Sequence, residues 1–258
     1  MERKYGFIGC GNMGGALAQA AIKSGKDIYA ADRHPEKLAA ISGAKAVSAS
    51  ELAAQCDMIF LGVKPQAMEA MFLEIKDFLR PGTVLVSMAA GLTTEFIRSL
   101  AGNFPVIRIM PNLPVSVGEG MILYCLNGVS EEEEKEFLEV SSRAGSLIRL
   151  DEKLIDAGSA VSVCGPAFAF MFIEALADGG VSCGLPRSAA QTLAAQTLLG
   201  SARLLLESGK HPGELKDAVC SPGGTTIAGV KNLEDGAFRA LAAGAVISAY
   251  ERTLELKK

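Results

Sequence analysis

Residues 5–14 read Tyr5-Gly6-Phe7-Ile8-Gly9-Cys10-Gly11-Asn12-Met13-Gly14, a short apolar run followed by a G-x-G-x-x-G turn and then a helical pattern to Lys23. In such a turn the first glycine permits the bend and the second lets backbone approach a pyrophosphate. The third lets helix and strand pack closely, and amides at the helix start receive negative charge. The second strand pattern ends at Ala31-Asp32, with Asp32 lying 21 residues after Gly11. A dinucleotide fold places its ribose-reading acid at about 20. The stretch therefore predicts a dinucleotide site built from Gly9, Cys10, Gly11, Asn12, Met13, Gly14 and Asp32.

The following residues leave the nucleotide open. Asp32 suits a ribose 2′-hydroxyl and repels a 2′-phosphate, whereas Arg33, with His34, pairs with that phosphate. Asp32 is equally suited to capping the turn that follows it. NADPH and NADH both remain candidates.

Outward from this turn, apolar runs alternate with helix-length amphipathic stretches up to about residue 150. Strands are expected at 27–31, 58–63, 84–88, 106–109, 121–124 and 146–150, with helices at 12–23, 35–41, 66–79, 93–101 and 131–144. Runs such as Met58-Ile59-Phe60-Leu61-Gly62-Val63 are apolar throughout, as in parallel strands covered on both faces. The prediction is an α/β fold with a doubly wound sheet. Glu131–Glu134 follow Ser130 and read as the first turn of a capped helix. Beyond residue 151 Ala/Leu-rich segments take over at 152–181, 187–208 and 235–256, giving an all-helical half. The domains expected are 1–151 and 152–258, and a helical half of this size calls for a second copy to bury its surface.

Composition removes several function classes. The chain has 258 residues, net charge −4, 28 glycines and only two histidines, His34 and His211. Without a basic stripe, nucleic acid is a poor partner. Two histidines argue against a histidine metal cage or a Ser-His-Asp triad. Six cysteines without paired C-x-x-C spacing read as reduced thiols of a cytoplasmic protein. A strand pattern begins at once, leaving no room for a signal peptide, and no charge-free apolar run reaches membrane-spanning length, so a soluble chain with no membrane partner is expected.

Several residues fall at the carboxyl ends of strands, the cofactor edge of a doubly wound sheet. Val63-Lys64-Pro65 follow one strand, with Lys64 suited to a phosphate or carbonyl contact. Ser87-Met88-Ala89-Ala90-Gly91 follow another and leave space for a nicotinamide. Asn112, after Met110-Pro111, offers an amide to orient a ligand. In the helical half, Ser221 and Pro222 are suited to N-cap and N1 of a helix, so that Gly223, Gly224 and Thr225 present free amides to a small carboxylate.

With these motifs the chain resembles the pyrroline-5-carboxylate reductase family nearly end to end. The match runs through 7–17 (FIGCGNMGGAL), 60–66 (FLGVKPQ), 87–92 (SMAAGL), 108–120 (RIMPNLPVSVGEG), 165–187, and above all 215–230 (LKDAVCSPGGTTIAGV). The resemblance implies an N-terminal Rossmann domain and a C-terminal helical dimerisation domain. Dimers of the family often stack into larger rings. It implies NAD(P)H-dependent reduction of 1-pyrroline-5-carboxylate to proline. Gly9–Gly14, Val63, Lys64, Pro65, Ala89 and Ala90 match the cofactor loops. Ser221, Gly223, Gly224, Thr225 and Thr226 match the substrate-carboxylate loop, and Thr226 matches the catalytic threonine beside the ring nitrogen. Departures occur at Cys164 and Phe168, where relatives often carry hydroxyls, at Asp32, where a neutral residue is more usual, and at Ala49, where some carry asparagine.

Two rival readings are a β-hydroxyacid dehydrogenase and a non-catalytic NAD(P)-sensing protein. The first needs a catalytic lysine on a long helix, but residues 152–181 contain only Lys153, at their start. The second gives no reason for the Ser221–Thr226 loop.

Overall fold

The computed structural model describes residues 3–256. The strand-turn-helix at the start becomes β1 (Tyr5–Ile8) and α1 (Asn12–Lys23), followed by β2 (Ile28–Ala31), α2 (Pro35–Ala39), β3 (Lys45–Ala46), α3 (Ala49–Gln55) and β4 (Met58–Leu61). Then come α4 (Met68–Ile75), β5 (Val84–Ser87), α5 (Thr94–Ala101), β6 (Val106–Pro111), β7 (Gly120–Asn127), α6 (Glu131–Ser141), β8 (Gly145–Arg149) and α7 (Ile155–Ser162). The strands form one sheet in the order β3-β2-β1-β4-β5-β6-β7-β8. Every pairing is parallel except β6 with β7. That reversal follows from the link between them, a short 3₁₀ turn at Leu113–Val117, which is too short for a crossover helix. The expected doubly wound sheet is present, and its order reverses at β1, between β2 and β4.

The central strands β1, β2, β4, β5 and β6 are buried along their whole length. Alternate residues feed two apolar layers. Phe7, Phe60 and Phe137 anchor one, with Phe7 and Phe60 stacked at 4.4 Å. Ile59, Leu61, Met68 and Phe72 anchor the other. Ser130 caps α6, accepting from the Glu133 N–H while the Glu133 carboxylate accepts from Ser130, so the acidic run is the capped first turn expected of it.

The chain divides into two compact units, one running to Cys164 and joined by the last helix from Tyr250, the other Gly165–Ala249. The second unit contains α8 (Gly165–Ser182), α9 (Arg187–Ser208), α10 (Pro212–Ala218), α11 (Thr225–Asp235) and most of α12 (Phe238–Glu255). The anticipated helix over 152–181 is broken. Its first part is α7, and α8 starts anew at Gly165, with Pro166 in its first turn where a missing N–H costs nothing.

The buried apolar cluster of the second unit consists of Ala177, Ala190 and Ala194. Met171, Leu193, Leu204 and Leu206 are exposed in the single chain. The stretch Glu152–Ser182 is long and apolar enough to cross a membrane by length and composition. The sequence criterion passed over it because Asp156 and Glu174 bracket its uncharged portion.

Candidate functional site

A cleft of about 610 Å³ opens at the carboxyl ends of β1, β2 and β4, where the strand order reverses. This is the crevice in which open α/β sheets bind ligands. Gly9, Gly11, Asn12, Met13, Gly14, Asp32, Arg33, Val63 and Lys64 all line it. Gly9 turns the chain at φ +89°, and a side chain on Gly14 would collide with the Gly9 carbonyl, so helix and loop sit closer than any larger residue permits. A side chain on Gly11 would project into open space, leaving its backbone accessible from the cleft. α1 starts immediately after this N-cap with no acid in its first turn, so the first amides and the positive end of the helix face an uncompensated space.

Asp32 has a more constrained position than its spacing suggested. Its Oδ2 accepts from the Cys10 N–H at 2.7 Å, its Oδ1 accepts from the His34 N–H at 2.9 Å, and Lys37 Nζ lies 3.6 Å from Oδ1. With 7% of the side chain exposed, the carboxylate ties the glycine loop to the end of β2 and closes its own turn. Arg33, His34 and Lys37 then stand together on the cleft lining. Sequence reading missed Lys37, Ser48, Met71 and Glu74, which also line the cleft. Ser48 caps α3 through a capping box with Glu51, a pattern the sequence carried.

Other expected residues fall outside the lining. The Cys10 side chain points into the core, its Sγ near the Phe7 and Ala31 carbonyls, and burial, then the Asp32 charge, pushes the thiol up to about 11. Pro65 opens a 3₁₀ turn after Lys64. Ala89 is buried and Ala90 exposed just beyond β5. Asn112 has both ends of its amide engaged: Nδ2 donates to the Ser162 carbonyl at 2.8 Å, and Oδ1 accepts from the Met121 N–H at 2.9 Å.

In the helical unit the Ser221–Thr226 loop differs from the expected cap. Gly223 takes φ +69° and the Gly224 N–H donates to the Ser221 carbonyl at 3.0 Å, forming a Pro-Gly turn of type II character. Gly224, rather than Ser221, is therefore the N-cap, and α11 begins at Thr225. Ser221 Oγ occupies the place a side chain on Gly224 would need, which explains the second glycine. The first in-helix bond is Ala228 N–H to the Gly224 carbonyl, so the amides of Thr225, Thr226 and Ile227 precede the ladder. Both threonines that carry the first two of these amides are exposed. Such a set can hold a small carboxylate and one further polar atom. Among the described residues no cluster of three metal-ligating side chains occurs.

Comparison with known proteins agrees with both halves. Residues 152–256 match the family described as pyrroline-5-carboxylate reductase dimerisation, and residues 4–91 match NADP oxidoreductase, coenzyme F420-dependent. A pyrroline-5-carboxylate reductase of Escherichia coli K12 is 41% identical, covering 100% of both chains. Solved structures of relatives named for the same activity superpose closely. The Coxiella burnetii protein has a TM-score of 0.94 at 32% identity over 100% of both chains. The Plasmodium falciparum protein, solved with NADP bound, has a TM-score of 0.88 at 32% identity over 99% of this chain and 98% of its own. With a relative so similar over its full length, and with a reversal-point cleft and a Gly-Gly-Thr-Thr helix start both in place, the chain belongs to the pyrroline-5-carboxylate reductase family.

Proposed function

We propose that this chain reduces 1-pyrroline-5-carboxylate to L-proline with NADPH, the last step of proline synthesis. Beyond family membership, the observation that carries the reading is the start of α11. Amides outside the helix ladder and two exposed threonines follow one another there, a set matched to a carboxylate beside a polar ring atom. When bound in the cleft, the reduced nicotinamide supplies the hydride that the imine carbon accepts. The chain contributes position and polarity. The Gly9–Gly14 turn and α1 start hold the pyrophosphate, Lys64 adds a cation, and Val63, Pro65, Ala89 and Ala90 shape the edge beyond it. Ser221, Gly223 and Thr225 fix the substrate carboxylate, while Gly224, whose N–H is given to the Ser221 carbonyl, shapes the turn that presents them. Thr226 Oγ1 hydrogen-bonds the ring nitrogen, holding the proton that makes the adjacent carbon electrophilic. A hydroxyl is too weak an acid to supply that proton unaided, and the protonated imine carries its own.

NADPH is preferred over NADH in this reading because Arg33 and Lys37 flank the cleft while Asp32 is engaged with backbone amides. The functional division is residues 1–151 for nucleotide and 152–258 for dimerisation and substrate, supported by the family match at 152–256. A second copy covers the exposed leucines of α8 and α9, and such dimers assemble further into a ring. Six free cysteines favour a cytoplasmic location.

The deciding assay follows loss of NADPH and NADH absorbance separately with 1-pyrroline-5-carboxylate, and as a control the reduction of NADP+ and NAD+ by a lactate-like hydroxyacid. Imine-dependent oxidation of NADPH is expected. Hydroxyacid turnover alone, or cofactor binding with no turnover, overturns the reading.

A further inference from the structure

The helix α7 is fastened to the sheet at both ends. At its start, Glu152 accepts from the Thr94 N–H and Oγ1 at 2.7 Å each, and Arg108 Nη1 lies 3.4 Å from the same carboxylate. Arg108 Nη2 reaches Asp156 on α7 at 3.2 Å. Arg108 is 1% exposed on β6, so this cation is held within the fold by two carboxylates of the α7 segment. At the far end, Asn112, one residue beyond β6, donates to the carbonyl of Ser162, the last residue of α7. Between the two ends, a side chain on Gly158 would strike Leu123 of β7, so the helix lies close against the sheet.

The far tie lies at the carboxyl edge of the sheet. Ser87, the end of β5, pairs with Arg108, and β6 continues past it to Pro111. Asn112 therefore holds Ser162 at the carboxyl edge of the sheet, the edge on which the cleft opens and along which open α/β sheets bind dinucleotides. One of its two amide hydrogens and its oxygen are committed to backbone on two different elements, which fixes the plane of the amide.

We propose that Asn112 is a positioning residue for hydride transfer, acting through the Ser162 carbonyl and backed by the Arg108 pair at the other end of α7, and that it is not a cofactor contact. The proposal rests on the reductase reading above. It assigns the residue to the geometry of the reaction rather than to nucleotide affinity.

Two variants test it. Asn112→Ala removes both bonds, and Asn112→Asp keeps the acceptor for Met121 while losing the donor to Ser162. Titration with NADPH, followed by nucleotide fluorescence, gives both the affinity and the number of competent sites, so kcat is expressed per binding site and unfolded protein does not count. Both variants are expected to lose roughly 10- to 100-fold in kcat, the scale of a misplacement near 1 Å. Their NADPH Kd should stay within about threefold of the parent enzyme. Amide hydrogen exchange over 155–168 should quicken in both, a readout independent of turnover. An NADPH Kd weaker by more than about threefold, a kcat loss smaller than that, or unchanged exchange in this segment overturns the proposal. If the parent enzyme leaves the imine unreduced while exchange quickens, the reductase reading fails and the tie itself stands; Arg108→Lys, which keeps the charge but not the two-carboxylate span, checks the opposite end if Asn112→Ala does not fold.

Discussion

The Asp32 carboxylate and the Cys10 backbone N–H are joined by a 2.7 Å hydrogen bond, so the acid at the end of β2 holds the glycine loop in shape. Its other oxygen caps the turn into α2. Asp32→Ala should therefore weaken NADPH and NADH by similar factors, roughly 10-fold for one lost hydrogen bond to a charged group. Isothermal titration with each nucleotide checks this. Weaker NADH with tighter NADPH would instead show the carboxylate reading the ribose.

Arg33 and Lys37 carry the opposite expectation. Each lines the cleft, and Lys37 also lies near Asp32. Removing either to alanine should weaken NADPH by about 10-fold while changing NADH by much less, since only the former carries the 2′-phosphate that a cation can pair. Binding of 2′,5′-ADP against 5′-AMP isolates the effect from the nicotinamide. Equal losses for both nucleotides would remove these residues from phosphate recognition.

Thr226 is the second threonine of α11, exposed beside the first free amides of that helix. Thr226→Ala should lower kcat/KM for the imine by roughly 10- to 100-fold, or about 1.4 to 3 kcal/mol for one lost hydrogen bond to a charged group. Thr226→Ser should recover most of the loss. Unchanged steady-state kinetics in the alanine variant would exclude the hydroxyl from the reaction.

Alkaline stability follows from buried acids. Desolvation first, then nearby carboxylates, raises Cys10 and Cys125 to about 11 and Cys56 to about 12; Tyr124 rises to about 12 from burial and its bond to Glu134. The unfolded thiols ionise from about pH 9 while the folded ones keep their protons, so the unfolded state holds fewer protons above that pH. Stability from these groups is complete below pH 9 and falls between pH 9 and 11, by about 1.4 kcal/mol per pH unit for each thiol fully in that window. Urea midpoints measured across this range test it. A flat profile to pH 11 would mean the thiols ionise equally in both states.

Much of this is legible in the sequence. The glycine spacing, the apolar strands and the position of Asp32 fixed the cleft, because local turn chemistry decides them. What escaped depends on distance along the chain. Ser162 lies 50 residues from Asn112, so the bond between them leaves no local pattern. β3 is two exposed residues, too short for an alternation, and without it α3 and Ser48 were not anticipated, although neighbouring Ala49 was singled out through the family resemblance. Ser-Pro before a helix suggested an N-cap at Ser221, but the positive φ of Gly223 moved the helix start to Thr225. The β6–β7 reversal followed from a connection whose shortness mattered more than its composition.

The three-alanine core of the second unit has a consequence for how the protein behaves on dilution. Small side chains bury little surface, and the larger ones on the same helices remain exposed until another copy covers them. Melting temperature should then rise with protein concentration, as expected where association and folding of this half are coupled. A sample thinned to nanomolar should unfold earlier than a concentrated one, with the sheet and its nucleotide cleft outlasting the helices.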